Sequence, residues 1–223
     1  MRVRLRKLKV VVCVAMTLVP LGGVAQDQNF VVTPMTPALT EALKAGGLPA
    51  AAALVQQYRT VVDIQPMNVA TDLFSLSIQS DSVVFARVIS ALAGRLTSDL
   101  RSVTTDYEFL VLERFQGAVG EGEGIHLRLP GGLVRFDNGT TAEWRLAHMP
   151  PLRLGDEAVV FVRRAVDDGD GVFRLVSTQH GIYRFDAAGR VATSASSSSG
   201  LAKKFGGVSK EDFLASVRGA TLR

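Results

Sequence analysis

A two-residue alternation of side chains runs through the chain from Ser82 onward, and one stretch of it limits the possible folds most. The segment TDYEFLVLERFQG covers residues 105–117. One of its faces carries Tyr107, Phe109 and Val111, and the other is charged at its ends but has leucines at its centre. Such a strand is expected where one face lines a barrel interior and a helix covers the other. The alanine-rich segment nearer the N-terminus is the expected cover.

Short strands surround this segment at regular intervals, each bounded by residues typical of turns. After a first strand that starts at Ser82, the predicted strands cover residues 125–129, 133–137, 141–147, 158–164, 172–178, 181–185 and 190–193. Between two of them stand Asn138 and Gly139, a pair typical of a type I′ hairpin turn because both central residues need a positive φ. Many short strands with regular turns favour an all-β barrel or sandwich.

The N-terminal part of the chain has helical spacing instead. Within residues 36–63, apolar side chains recur at helical spacing in two groups: Leu39 and Leu43, then Leu54, Val55, Tyr58 and Val62. Gly46, Gly47 and Pro49 are expected to divide this segment into two helices. A further short turn of helix is expected at residues 72–78.

A last helix is predicted at the C-terminus. Ser209, followed three residues later by Asp212, resembles a capping box and marks the start of the helix. Its side chains Phe213, Leu214 and Val217 are expected to dock on the barrel. The stretch ATSASSSSG before it is typical of a flexible linker.

The first residues predict export from the cytoplasm. Five basic residues precede an apolar run from Val10 to Val19, which is followed by Pro20, two glycines and Ala25. This is the pattern of a secretory signal peptide, residues 1–25, with cleavage after Ala25. The apolar run is shorter than the roughly 18–20 residues that span a bilayer, so no transmembrane segment is expected after cleavage. We expect a periplasmic or extracellular product.

Removal of the signal peptide changes the charge and the cysteine content. The chain has 25 Lys and Arg residues, and subtracting the five in the signal leaves 20 against 21 Asp and Glu, a net charge of −1. A nucleic-acid surface needs a basic patch, and none stands out in the remaining sequence. The single cysteine, Cys13, leaves with the signal, so the mature chain has no disulfide, thiol nucleophile or cysteine metal site.

These patterns divide the chain into five parts. They are a signal peptide (1–25), an N-terminal helical segment that packs on the barrel (26–80), a β-barrel domain (81–193), a Ser/Gly-rich linker (194–208) and a C-terminal helix (209–223). The mature chain is long enough to bury a hydrophobic core without disulfide bonds.

Motifs with a catalytic mechanism do not stand out. His126, His148 and His180 are separated by more than twenty residues each, whereas zinc sites usually include a close pair of ligands. The glycine-rich residues 117–124 lead into another strand, not into the helix that a dinucleotide site requires. No serine lies in a G-x-S-x-G motif, although a Ser-His-Asp triad could assemble from distant positions. We therefore predict no catalytic residue, no metal site and no cofactor.

Two segments are candidates for a binding surface. Gln179 and His180 precede Gly181 in a tight connection between strands, where binding residues often lie on a rigid scaffold. The competing interpretation is that Gly181 only permits a bulge or a sharp bend. Trp144, the only tryptophan, lies near His148 in the sequence. An exposed indole could anchor a partner, and a buried one would belong to the core.

Several segments together resemble a known group of proteins. In order, SDSVVFARVIS, TDYEFLVLERFQG, IHLRLPGG, PLRLGDEAVVFV, FRLVSTQHGIYRFD and SKEDFLASVR are similar to segments of uncharacterised exported bacterial proteins. The resemblance covers residues 72–218 and implies a small barrel of the OB-like or netrin-like kind. The expected fold class is mainly β: a small closed or partly open antiparallel OB-like barrel with N-terminal helices and a C-terminal helix. Netrin-like inhibitors of metalloproteases use an N-terminal cysteine, which the mature chain lacks.

The leading functional hypothesis is an exported, non-catalytic module that binds a protein or envelope partner through loops at the barrel ends. The alternative is an extracytoplasmic hydrolase or metal-dependent enzyme, which a cleft lined by His126, His148 and His180 with acidic neighbours would favour. An oligonucleotide-binding barrel requires a basic groove, which a net charge of −1 does not favour. Nucleic acid is therefore not an expected partner.

Overall fold

A computed structural model of the protein describes residues 30–63, 70–165, 171–194 and 199–222, and the predicted signal peptide lies outside them. The helices are α1 (Pro37–Val55), α2 (Leu73–Ile78), α3 (Gly200–Phe205) and α4 (Lys210–Thr221). The strands are β1 (Gln57–Val62), β2 (Ser82–Ala91), β3 (Arg95–Leu96), β4 (Val103–Gln116), β5 (Gly124–Pro130), β6 (Gly132–Arg135), β7 (Thr141–Leu146), β8 (Glu157–Arg164), β9 (Val172–Leu175), β10 (Ile182–Phe185) and β11 (Val191–Thr193). Within these ranges, no helix combines the length and apolar composition needed to cross a membrane.

Five strands close into a barrel. β2 pairs with β4 and β8, β4 pairs with β5, β5 lies parallel to β9, and β9 returns to β8. All of these pairs except β5–β9 are antiparallel. β10 and β11 extend the sheet from β8, and β3 pairs with β4. The predicted fold class, a small β-barrel with attached helices, is confirmed.

Alternate side chains of the strands fill the barrel interior. On β4, Tyr107, Phe109 and Val111 are buried in this core, as the alternation predicts. On the opposite face, Leu112 packs against a second apolar cluster formed with α2, α3 and α4. The prediction that the N-terminal helix covers the outer face of β4 is therefore wrong. α1 packs instead against β1 and β7. The apolar face of α4 covers the outer wall of the barrel beside β4.

A smaller sheet has the strand order β1–β7–β6, with β1 parallel and β6 antiparallel to β7. β1 corrects the sequence analysis, since Tyr58 and Val62 lie in this strand and not in a helix. The helix ends because Gln56 has a φ of 65°, and the β-branched residues that follow favour a strand. The predicted break within the helical segment is confirmed, because α1 is kinked at Gly47, whose φ is 66°.

The predicted hairpin joins β6 to β7, but its turn is not type I′. Of the predicted pair, Gly139 alone has a positive φ, which is 81°. The Gly139 N–H donates to the Phe136 carbonyl at 2.9 Å, and the Phe136 N–H donates to the Thr140 carbonyl at 2.9 Å. This is a three-residue loop in which a type I turn is followed by a left-handed glycine.

The segment 194–208 is not a linker throughout. Residues 195–198 lie outside the described part, but Gly200–Phe205 forms α3 and buries Leu201, Ala202 and Phe205. The helix forms because Ser199 caps its N-terminus and its apolar side chains join the cluster beneath α4. The serine-rich composition therefore predicts a linker where part of the segment is a short, packed helix.

The C-terminal helix begins as predicted. The Asp212 N–H donates to the Ser209 Oγ at 3.2 Å, which satisfies one of the free donors in the first turn of α4. The side chains predicted to dock on the barrel, Phe213, Leu214 and Val217, are all buried.

Candidate functional site

The predicted binding residues Gln179, His180 and Gly181 form a buried turn. Gln179 and His180 lie in a 3₁₀ turn, Thr178–His180, and each is 3% exposed. Gly181 has a φ of −81°, and a Cβ at this position would collide with the Val176 carbonyl oxygen. Glycine therefore permits the close approach of two backbone segments, which agrees with the structural interpretation of this residue.

His180 links this turn to helix α3. Its Nε2 atom lies 3.1 Å from the Ser199 Oγ, and its Nδ1 atom lies 3.4 Å from the Ser177 Oγ. A serine–histidine contact is part of a hydrolytic triad, but no carboxylate within the described ranges contacts this imidazole. The Ser199 Oγ also accepts a hydrogen bond from the Ala202 N–H as the cap of α3. The contact is thus explained as a structural link between the turn and the helix.

Acidification is expected to destabilise the protein through His180. Burial lowers the pKa of its imidazole below the usual value, so the folded protein favours the neutral form. The unfolded chain binds a proton at a pKa of about 6.5. The stability due to this group is therefore complete above about pH 6.5 and is lost as the pH falls through the lower pKa of the folded state.

Urea unfolding of the parent and His180→Gln, measured at several pH values from neutral to mildly acidic, tests this prediction. The parent should lose free energy of unfolding on acidification more steeply than the variant. His126→Gln is the control, because His126 is exposed, and it should behave as the parent does. Identical pH profiles for the parent and His180→Gln would contradict the prediction.

In the described part of the chain, two buried polar side-chain atoms have no hydrogen-bond partner: Gln179 Nε2 and the Tyr183 hydroxyl oxygen. Burial raises the pKa of Tyr183 above its usual value. Its ring packs edge-on against Phe161 and Phe205 and at 4.8 Å, between ring centroids, from Phe213. The carbon skeleton of Tyr183 thus contributes to packing, while the unpaired hydroxyl costs roughly 1–3 kcal/mol of desolvation.

The remaining histidines are exposed and lie on separate elements. His126 is on β5, and His148 is in the turn after β7. In the part of the chain that the structure describes, no group of three or more His, Cys, Asp or Glu side chains could hold a metal ion. The fold therefore does not assemble His126, His148 and His180 into the cluster that would favour the enzyme hypothesis.

Trp144 lies at the bottom of a pocket between α1 and the smaller sheet, which we call the α1 pocket. The pocket has a volume of about 460 Å³. Its lining comes from α1, β1, β7 and two loops: Met35, Thr40, Leu43, Lys44, Leu48, Tyr58, Thr60, Val62, Arg101 and Trp144. Trp144 is only 6% exposed, so the indole serves as both core and pocket floor. Thr60 is its neighbour in the β1–β7 register.

The floor and the rim of the α1 pocket differ in chemistry. Leu48 and Tyr58 are buried beside Trp144 and make the floor apolar and aromatic. Lys44 and Arg101 are exposed at the rim. The lining contains no carboxylate, so its ionic groups are both positive.

A backbone contact at the kink of α1 places Arg101 at the rim. The Leu48 N–H donates to the Leu100 carbonyl at 2.8 Å. This approach requires glycine at position 47, because a Cβ there would collide with the Leu100 carbonyl oxygen. Arg101 lies in the loop that connects β3 to β4, so a loop of the larger sheet contributes to the pocket lining.

A scan against models of protein families gives no match, and a search of curated proteins finds no relative of this chain. The resemblance to exported bacterial barrels therefore stays a prediction.

Of the residues that line the α1 pocket, only Trp144 could be predicted from the sequence as a candidate for binding. Tyr58 and Thr60 alternate with Arg59 and Val61, as expected of a strand. The alternation is only a few residues long and directly follows a longer helical pattern, so the sequence predicts a helix here. Arg101 carries no local signal, because only the contact between α1 and the barrel loop brings it to the pocket. His148, predicted together with Trp144, does not line the pocket.

A second cleft, between β8, β10 and the start of α4, is polar and internally paired. Arg184 Nη2 donates to the Asp156 carboxylate at 2.8 Å, and Lys210 donates to the Glu157 carboxylate. Although burial opposes the shift, hydrogen bonds from Lys210 and Arg87 hold the pKa of Glu157 below its usual value. A ligand would have to compete with these ion pairs, so the α1 pocket is the better candidate.

Proposed function

We propose that this chain is an exported, non-catalytic binding module that holds a small apolar ligand in the α1 pocket. The observation that carries the proposal is a concave, largely apolar pocket over Trp144, about 460 Å³ in volume. Small-molecule sites typically have volumes of roughly 300–1,000 Å³, with apolar and aromatic walls and a few polar groups. The signal-peptide pattern of residues 1–25 supports the exported location.

The depth and apolar lining of the pocket also favour one class of partner. Of the predicted protein and envelope partners, a small lipid-like envelope component fits best, because the deepest lining residues are Leu48, Tyr58 and Trp144, all buried below the surface. A protein partner would need a broad exposed surface. The exposed candidate, His148, lies outside the pocket lining.

Binding can be measured directly, because Trp144 is the only tryptophan and its fluorescence reports on the pocket. Titration of the mature chain with decan-1-ol, an uncharged apolar probe, is expected to give a saturable change in this fluorescence. Thr60→Phe should abolish the change, since the larger side chain fills the space next to the indole.

Val61→Phe is the matched control. Val61 follows Thr60 on the same strand, is 40% exposed and does not line the pocket, so decan-1-ol should bind this variant as it binds the parent. Equal binding to the parent and Thr60→Phe, or the absence of a saturable signal in the parent, would reject the proposal.

A hydrolase is the second candidate function, because the Ser199 Oγ lies 3.1 Å from His180 Nε2. Hydrolysis of p-nitrophenyl acetate by the parent, Ser199→Ala and His180→Gln tests it. We expect the three rates to be equal. A parent rate that falls by orders of magnitude in both variants would favour the hydrolase over the binding module.

A further inference from the structure

We infer that the ligand of the α1 pocket is an amphipath, with a single hydrocarbon body and an anionic head group, an inference that rests on the proposed function. The geometry separates the two parts. Leu48, Tyr58 and Trp144 offer an apolar floor to the body, and Lys44 and Arg101 stand at the exposed rim where a head group would reach water.

The charge at the rim selects an anion. Lys44 and Arg101 are the ionic groups of the lining, so the rim is complementary to negative charge. A guanidinium binds a carboxylate or a phosphate with two parallel hydrogen bonds, and an ammonium binds either as a point charge. A cationic head group would meet two like charges instead.

The two cations are not equivalent. Lys44 Nζ donates to the Glu41 carboxylate at 2.9 Å, one turn earlier on α1, and both side chains are largely exposed. In the part of the chain that the structure describes, no salt bridge joins the Arg101 side chain to a carboxylate, although the Asp99 carboxylate accepts a hydrogen bond from the Arg101 backbone N–H at 3.0 Å and interacts electrostatically with the guanidinium. Arg101 is therefore the main head-group ligand, and Lys44 contributes in competition with Glu41.

The pocket lining also holds two neutral groups that suit an anionic oxygen. Thr40 and Thr60 both line the pocket, and each hydroxyl can donate a hydrogen bond to an oxygen atom of the head group. Thr40 Oγ1 donates to the Thr36 carbonyl at 3.0 Å in the free protein, so it would have to exchange partners. Thr60, beside Trp144, lies where the head group and the body of the ligand would meet.

The inference is tested by Trp144 fluorescence titrations with four ten-carbon probes below their micelle concentrations. They are decanoate, decyl phosphate, decan-1-ol and decyltrimethylammonium. Decanoate or decyl phosphate is expected to bind about tenfold more tightly than decan-1-ol, the effect of roughly 1.4 kcal/mol that a screened ionic contact of this kind supplies. Whichever anion binds more tightly identifies the head group as carboxylate or phosphate.

Variants assign this preference to the rim. The double variant Lys44→Gln/Arg101→Gln should bind the anions no better than decan-1-ol while keeping its affinity for decan-1-ol. Glu41→Gln should tighten anion binding severalfold, because it frees Lys44. The control Lys203→Gln/Arg163→Gln removes the same charges from exposed positions outside the pocket lining and should bind as the parent does.

The possible failures are distinguishable. Equal affinities for decanoate, decyl phosphate and decan-1-ol, unchanged in the double variant, would overturn the anionic head group and leave the pocket proposal standing. Tighter binding of decyltrimethylammonium would also overturn it. No saturable signal with any probe would overturn both this inference and the proposed function.

Discussion

Replacement of Phe213 by alanine is expected to lower the free energy of unfolding by about 3–5 kcal/mol. Phe213 is fully buried, and its ring contacts Tyr183, Phe185 and Phe205, with centroid distances of 4.8, 6.2 and 5.3 Å. Its loss leaves a cavity at the point where α4 holds the C-terminal cluster on the barrel wall.

Urea unfolding followed by Trp144 fluorescence measures this effect. Ser216→Ala is the control on the same helix. Ser216 is exposed, and its hydroxyl donates to the Asp212 carbonyl at 2.8 Å, so its loss should change the free energy of unfolding by no more than about 0.5 kcal/mol. A loss below about 1 kcal/mol in Phe213→Ala would mean that α4 does not stabilise the barrel as its packing indicates.

Replacement of Gly47 by alanine is expected to have the second-largest effect, a loss of more than about 2 kcal/mol. Alanine at a φ of 66° is strained, and its Cβ would collide with the Leu100 carbonyl oxygen. Relief of the collision would break the hydrogen bond from the Leu48 N–H to that oxygen. Because this contact places Arg101, the variant should also bind anionic probes less tightly than the parent.

Gly139→Ala is the control that separates the cost of backbone strain from the cost of the Cβ collision. Gly139 also has a positive φ, 81°, but no atom lies within 4 Å of a Cβ at this position. Its replacement should cost about 1–2 kcal/mol from backbone strain alone and leave probe binding unchanged. Equal losses in the two variants, or anion binding that Gly47→Ala leaves intact, would show that the α1 kink does not organise the pocket.

The strands could be predicted because their signal is local. The alternation of Tyr107, Phe109 and Val111 reflects which face of β4 meets the core, and the barrel buries these three side chains as that pattern requires. The order in which the strands pair is not local. The parallel contact of β5 with β9, which closes the barrel, joins His126 to Val172 across a long stretch of sequence.

The elements that sequence analysis missed are short and lie beside stronger signals. β1 follows the long helical pattern of α1 directly, with Gln56 as the single residue between them. α3 follows a run of serines, and burial of Leu201 and Phe205 under α4 stabilises a helix that local composition does not favour. In both cases tertiary packing decides the structure where local propensity is weak.

The candidate site was only partly predictable for the same reason. Trp144 could be predicted as a candidate because it is the only tryptophan of the chain. Whether it belongs to the core or to a binding surface depends on its burial, which the sequence around it does not indicate. The position of Gln179 and His180 before a glycine between strands predicts a binding turn. Both side chains are buried, however, and a Cβ at Gly181 would collide with backbone atoms, so the turn is part of the packed interior. Arg101 reaches the pocket through a contact with α1 that has no counterpart in the sequence around it.

The central claim, that this chain binds its ligand over Trp144, is tested most directly by chemical-shift mapping. A ¹H–¹⁵N spectrum of residues 26–223, the predicted mature chain, would be recorded with increasing decanoate. We predict saturable shifts of the Trp144 indole N–H and of the Leu48, Thr60 and Arg101 amides, with His126 and Arg163 unchanged. Saturable shifts confined to the turn around His180 or to the polar cleft of Arg184, or no shifts at all, would contradict the claim.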